Sequence, residues 1–238
     1  MANEVYIGGF KPASMLERPG LISGVLFTVG CNLRCPFCHN PELVVDSKGI
    51  PPYPVNEILK ALAEKKGWVD SVIFTGGEPT MQKGLRDMMR YIKEEGFQVG
   101  IHTNGANPKA LGKLLDEGLL SHVAMDVKAS KEKYSTAVGI PGFKIGPILE
   151  SIKLIKAACK KVDTIFRTTA VPGLVEPADM AKIGKMVQGA PLVSIQQFRT
   201  LKCVNPEYEQ KEPHSTEVLH KMADELEQYV GRVNREFI

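Results

Sequence analysis

From Leu21 onward, short apolar runs rich in β-branched and aromatic residues alternate with longer stretches whose apolar positions recur every three or four residues. That alternation predicts repeated βα units and a parallel sheet. Strands are expected at 24–29, 71–75, 98–103, 122–127, 163–170 and 192–198, several with both faces apolar, as strands covered on both sides require. Helices are expected at 55–66, 83–95, 108–117, 146–160, 177–188 and 215–236. In the first of these Val55, Ile58, Leu59 and Leu62 form one face while Glu57, Lys60 and Glu64 take the other. Six units are too few to close an eight-stranded barrel. An open partial barrel and a doubly wound sheet both remain, and both place their sites at the carboxyl ends of the strands.

One domain over 1–238 is expected, made of an N-terminal extension (1–20), a core (21–199) and a C-terminal loop and helix (200–238). The proline-rich stretch 49–54 reads as a loop into the first helix, not a linker. The chain has 238 residues, 43% hydrophobic and 24% charged, enough for a proper buried core. Lys and Arg number 30 against 27 Asp and Glu, a net charge of +3 without a basic run, so a charge-driven nucleic-acid partner is not expected. No stretch is apolar for long enough to span a bilayer and the first ten residues lack the plan of a signal peptide, so a cytoplasmic protein without a membrane partner is expected. Three of the five cysteines fall in one short loop, which in a reducing compartment favours ligand or redox chemistry over disulfides.

That loop, Gly30-Cys31-Asn32-Leu33-Arg34-Cys35-Pro36-Phe37-Cys38-His39-Asn40, follows the first strand directly. C-x-x-x-C-x-x-C offers three thiolates, enough for three irons of a [4Fe–4S] cube and one short of the usual four. An open fourth iron can chelate a substrate. Structural zinc with His39 as fourth ligand competes, although adjacent Cys38 and His39 suit a tetrahedron poorly. Three merely structural cysteines also compete, although a loop rich in Arg, Asn and Pro is an odd place to bury them.

Further motifs end the later strands. Thr75-Gly76-Gly77-Glu78-Pro79 lets the backbone approach a ligand closely, but alone it is also an ordinary turn. His102-Thr103-Asn104-Gly105 contains a generic turn pair, and Asp126 with Lys128 could be a plain surface ion pair. Arg167, inside an apolar strand, needs acceptors; either it faces a ligand at the barrel mouth or it closes an internal salt bridge.

Taken in order, the cysteine spacing and these strand ends resemble the radical SAM superfamily over nearly the whole chain. The resemblance implies a partial (β/α)6 barrel and a [4Fe–4S] cluster on Cys31, Cys35 and Cys38 that reductively cleaves S-adenosylmethionine (SAM) to methionine and a 5′-deoxyadenosyl radical. It further implies that Phe37 packs near the adenine, that Gly76, Gly77 and Glu78 hold the SAM amino group, and that Thr103, Asn104, Asp126 and Lys128 line its ribose and carboxylate. Arg167, in an R-x-x-x-V-P-G pattern, and Arg199, in Gln196-Gln197-Phe198-Arg199, would contact SAM or a substrate peptide. One departure stands out: pyruvate formate-lyase activases typically have Asp, which helps hold a monovalent cation, where this chain has His102, and imidazole is a poor ligand for such an ion.

The N-terminal segment 7–20, the run Cys38-His39-Asn40-Pro41-Glu42-Leu43 and the strand-six residues resemble the activating proteins of anaerobic ribonucleoside-triphosphate reductases. That implies a glycyl-radical enzyme as partner and a low-potential electron donor such as flavodoxin or ferredoxin. The short C-terminal segment suits a protein substrate better than an enclosed small one. Alternatives are a pyruvate formate-lyase-type activase, a small-molecule radical SAM enzyme of the 7-carboxy-7-deazaguanine synthase kind, and a non-catalytic metal-binding module. Cys159 and Cys203 are read as packing residues.

Overall fold

A computed structural model describes residues 5–235. In chain order its principal elements are β1 (Ile7–Ser14), β2 (Ser23–Thr28), α1 (Pro41–Val44), α2 (Val55–Glu64), β3 (Ser71–Gly76), α3 (Leu85–Glu94), β4 (Gln98–Thr103), α4 (Pro108–Asp116), β5 (His122–Asp126), α5 (Tyr134–Ala137), α6 (Gly146–Ala158), β6 (Asp163–Ala170), α7 (Met180–Met186), β7 (Val193–Gln197), α8 (Thr216–Glu227) and β8 (Val233–Asn234). The strands form one sheet in the order β1 to β8. Strands β2 to β7 are mutually parallel, β8 pairs parallel to β7, and β1 pairs antiparallel to β2. Spatial order equal to chain order leaves no point at which the winding reverses, so the doubly wound alternative falls and the partial barrel stands.

Local chemistry accounts for most boundaries. On α3 Leu85, Met88, Met89 and Ile92 are buried, as are Ile148, Ser151, Ile152 and Ile155 on α6, so each helix turns one stripe onto the sheet. Asn107 caps α4 by accepting from the Ala110 amide (3.3 Å), and Ser215 caps α8 through the Val218 amide (3.4 Å). Among the described residues no helix is long and apolar enough to cross a membrane.

Two expected helices need correction, and the extension carries a strand that was not expected. The extension at 1–20 contains β1, an edge strand of the same sheet whose signal is diluted by Gly8, Gly9 and Pro12; residues 1–4 lie outside the described residues. The helix expected at 177–188 is a 3₁₀ turn, Pro177–Asp179, followed by the short α7, which carries Gly184 because a Cβ there would sit 2.4 Å from the Tyr229 ring. The helix expected to run to 236 stops at Glu227, and the chain doubles back so that Val233 pairs with Val193; Glu236 itself lies outside the described residues. Long-range pairing with β7 outweighs the helical period of that segment.

Candidate metal and cofactor site

At the carboxyl end of β2 the chain leaves the sheet through Gly30, whose φ of +92° is open to glycine at little cost. The cysteine loop that follows is clamped from three sides. The Glu78 amide donates to the Gly30 carbonyl (2.8 Å), and a Cβ on Gly77 would lie 2.0 Å from that same oxygen, so only glycine lets the end of β3 lie against the loop. The Arg34 amide donates to Val138 O (2.9 Å) beyond α5, where a Cβ on Gly139 would meet Arg34 O at 1.9 Å. From the C-terminal segment, the Val204 and Asn205 amides donate to the carbonyls of Cys38 (3.1 Å) and Pro36 (2.9 Å). Internally, Arg34 folds back on the carbonyls of Cys31 (2.7 Å) and Leu33 (2.8 Å).

The loop presents Cys31, Cys35 and Cys38 to one cavity of about 300 Å³, a size within the usual range for a cofactor site. All five cysteines are free of disulfides. Burial pushes the Cys35 thiol up to about 12, with Lys128 opposing and the neighbouring cysteines reinforcing; Cys31 is raised by burial too, against the Leu33 amide. Such thiols ionise when a metal replaces the proton. The Cys31 sulfur already accepts from the Leu33 amide (3.4 Å) and from Asn104 Nδ2 (3.6 Å), contacts that favour a thiolate.

The same cavity is lined by Asp126, Lys128 and Arg167. Asp126 Oδ2 accepts from Lys128 Nζ (2.8 Å) and Oδ1 from Arg167 Nε (2.8 Å), the register pairing Asp126 with Arg167 across β5 and β6. Burial would raise the Asp126 pKa, but the two cations outweigh it and hold the carboxyl well below the usual carboxylate range. For Lys128 burial works downward, yet Asp126 and the cysteines carry its pKa well above the ordinary lysine value. Both alternatives for Arg167 therefore apply together: it closes an internal salt bridge and lines the cavity. Both Asp126 oxygens are engaged by Lys128 and Arg167, and His102 offers nitrogen where a hard monovalent cation would prefer oxygen.

Phe37, Gly76, Gly77, Thr103 and Asn104 also line the cavity, as expected, with Asn104 joined to Asn32 Oδ1 (2.9 Å). Two expected residues do not. Glu78 is wholly buried and its carboxylate accepts from Thr80 N (3.1 Å), Thr80 Oγ1 (2.6 Å), Thr103 Oγ1 (2.7 Å) and Asn104 N (2.7 Å), so it braces the ends of β3 and β4. Burial raises its pKa and these four donors oppose that rise. Arg199 is exposed, and what it lends the site is its carbonyl, which accepts from His39 Nε2 (2.9 Å) while His39 stacks on Phe198. Thr169 and Gln196 line the cavity without having been singled out. The period of two along a strand would have found Thr169, two residues beyond Arg167.

The donor set fits an iron–sulfur cube better than zinc. Three thiols share one cavity, yet among the described residues no three His, Cys, Asp or Glu side chains converge as around a single ion. His39, the proposed fourth zinc ligand, is committed to Arg199 and Phe198. Cys203 is buried with its thiol directed to Leu201 O (3.2 Å), and Cys159 ends α6, consistent with packing roles.

Comparison with known proteins places this geometry in context. Residues 25–183 match the family described as the Radical SAM superfamily. A Methanocaldococcus jannaschii protein named, by inference, a glycyl-radical enzyme activating enzyme is 32% identical over 95% of this chain and 94% of its own length. The pyruvate formate-lyase-activating enzyme of Clostridium pasteurianum is 30% identical over 78% of this chain and 81% of its own. The crystal structure of Streptococcus suis SuiB bound to S-adenosylmethionine superposes with a TM-score of 0.64 at 15% identity, covering 88% of this chain and 51% of that one, a likeness of fold.

Proposed function

The chain belongs to the radical SAM superfamily, an enzyme family that uses a [4Fe–4S] cluster and SAM, and on that premise we propose that it is a glycyl-radical enzyme activase whose partner is an anaerobic ribonucleoside-triphosphate reductase. The observation that carries this reading is the cavity itself, lined by three thiols and by one carboxylate shared between two cations. Cys31, Cys35 and Cys38 would hold the cluster. When bound, it supplies the low-potential electron that breaks a carbon–sulfur bond of SAM.

The chain's own side chains do the rest. Asp126, Lys128 and Arg167 sum to one positive charge, which suits a carboxylate-bearing ligand; Lys128 approaches it as a point charge and Arg167 as a fork. Gly76 and Gly77 let backbone acceptors come close to an ammonium group, and Phe37, 6% exposed, offers an apolar face beside it. Thr103 and Asn104, held by Glu78, Asn32 and Cys31, line the cavity where a ribose would lie. Glu78 acts from beneath, by fixing the loop that carries Asn104.

A protein substrate is supported by the rim. Val45, Met81 and Leu201 all follow carboxyl ends of strands or the cysteine loop and are about half exposed or more, an apolar fringe suited to a docking surface. Similarity to a pyruvate formate-lyase-activating enzyme supports a second partner, pyruvate formate-lyase. The test is electron paramagnetic resonance of the reduced, iron-loaded protein with SAM and each candidate partner. A glycyl-radical doublet with the ribonucleotide reductase is expected. A doublet only with pyruvate formate-lyase reassigns the partner, and turnover of a small metabolite without any doublet ends the activase reading.

A further inference from the structure

Along the wall of the cavity, which His102 also lines, a chain of contacts leads away from Asp126. Besides its bonds to Asp126, Arg167 places NH1 3.1 Å from His102 Nδ1 on β4. On the far side of the imidazole, Nε2 lies 3.2 Å from the backbone carbonyl of Glu17, in the turn between β1 and β2. A guanidinium only donates and a carbonyl only accepts, so both partners demand the same form of His102: neutral, with Nδ1 bare and Nε2 protonated. The ring is 5% exposed, and burial first, then the charge of Arg167, hold its pKa well below the ordinary histidine value. The Glu17 carboxylate, 3.7 Å from Nδ1, lies beyond hydrogen-bond reach of an atom that Arg167 already occupies.

We propose that His102 is a positioning residue for SAM: a neutral strut between the β1–β2 turn and Arg167 that fixes the guanidinium, and through it the Asp126–Lys128 pair, before the ligand arrives. The inference rests on the reading of this cavity as the SAM site. Its physical basis is the rotamer freedom of an arginine side chain, which must be lost when the guanidinium is held. Asp126 alone leaves that fork able to pivot about one oxygen, since Nε and NH2 both reach Oδ1. A second acceptor at NH1 removes the pivot, so less ordering remains to be done on binding. The strut also ties the site to the β1–β2 turn, although that turn is far from it in sequence.

Equilibrium binding of SAM to the full chain, loaded anaerobically with its cluster, tests this in wild type, His102→Asn and His102→Gln, with iron content and Tm measured alongside. Asn puts an amide oxygen near the place of Nδ1 and keeps the acceptor for Arg167; Gln puts its amide near Nε2 and keeps only the link to Glu17. The expected result is SAM affinity within about twofold of wild type for His102→Asn and weaker by about tenfold or more for His102→Gln, at equal iron content. Wild-type affinity in His102→Gln overturns the proposal, and so does an equal loss in both variants accompanied by an equal fall in Tm, which is what a packing role gives. Iron-loaded wild type that binds no SAM removes the functional reading and this inference together, whereas SAM binding untouched by either substitution removes this inference alone.

Discussion

At the mouth of the barrel Asp126 lies between Arg167 and Lys128, whereas at the base Arg18 is shared between the Asp163 carboxylate and Gln98 Oε1 (2.7 Å). The two ends use the same residue types in different ratios. At the mouth two cations meet one carboxylate, 26% exposed, and the surplus charge faces a cavity. At the base Arg18, 8% exposed, meets one carboxylate that is 70% exposed, so the charge is matched, water reaches the carboxylate end of the pair, and the buried guanidinium has Gln98 as a second acceptor. The unbalanced group leaves a positive charge facing a cavity; the balanced one ties the β1–β2 turn to the starts of β4 and β6.

Several measurements break or sharpen that contrast. The largest effect is expected from Cys35→Ala, which removes one corner of the three-thiol set: iron content should fall from about four per chain to near zero, read by metal analysis and visible absorbance. At the mouth, Asp126→Asn leaves Arg167 and Lys128 without their shared anion and should cost about 3–5 kcal/mol in chemical denaturation. The same substitution at the exposed partner of the base pair should not approach that figure.

Inside the barrel His122 on β5 is buried, and burial, then Arg18 and Arg167, lower its pKa to about 4 against the opposing pull of Asp163. Between an unfolded value of about 6.5 and the folded value, the unfolded chain takes up a proton that the folded chain refuses. Stability contributed here is therefore complete above pH 6.5 and lost as pH falls toward 4, by roughly 3 kcal/mol at most. Urea melts across that window should show the slope, and His122→Leu should flatten it. Asp126, with its depressed pKa, acts in the same direction in a lower window.

Lys128→Ala should keep its iron yet weaken SAM binding by about tenfold, near 1.4 kcal/mol, measured by equilibrium binding. Unchanged affinity would remove Lys128 from the carboxylate site. The smallest effect is expected from Asp163→Ala at the base: below about 1 kcal/mol in stability, with iron content and SAM affinity at wild-type values. A loss of SAM affinity there would mean that the two ends are coupled more tightly than their charge balance implies.

The parallel strands were legible because each carries apolar or β-branched residues between turn signals, and β4 and β6 have the boundaries read from sequence, 98–103 and 163–170. The edges were not. In β1 glycine and proline are tolerated because one side of the strand is unpaired, and β8 is two residues long and owes its form to β7. The cysteine loop and most strand-end residues were legible as a group because a parallel barrel delivers every strand's carboxyl end to one rim.

What the sequence determined alone is the order of βα units and the C-x-x-x-C-x-x-C spacing, both of them local patterns whose meaning needs no partner. Tertiary structure decided where the charged side chains point. Glu78 turned inward because Thr80, Thr103 and Asn104 converge on it, and Arg199 stayed outside because its carbonyl, not its guanidinium, meets His39. The contact of His102 with Glu17, 85 residues away, and that of Arg167 with His102, 65 away, exist only once strand register and the β1–β2 turn are set. A side chain's direction in a barrel follows from register, and register is fixed by pairing across the sheet, which no local stretch of sequence records.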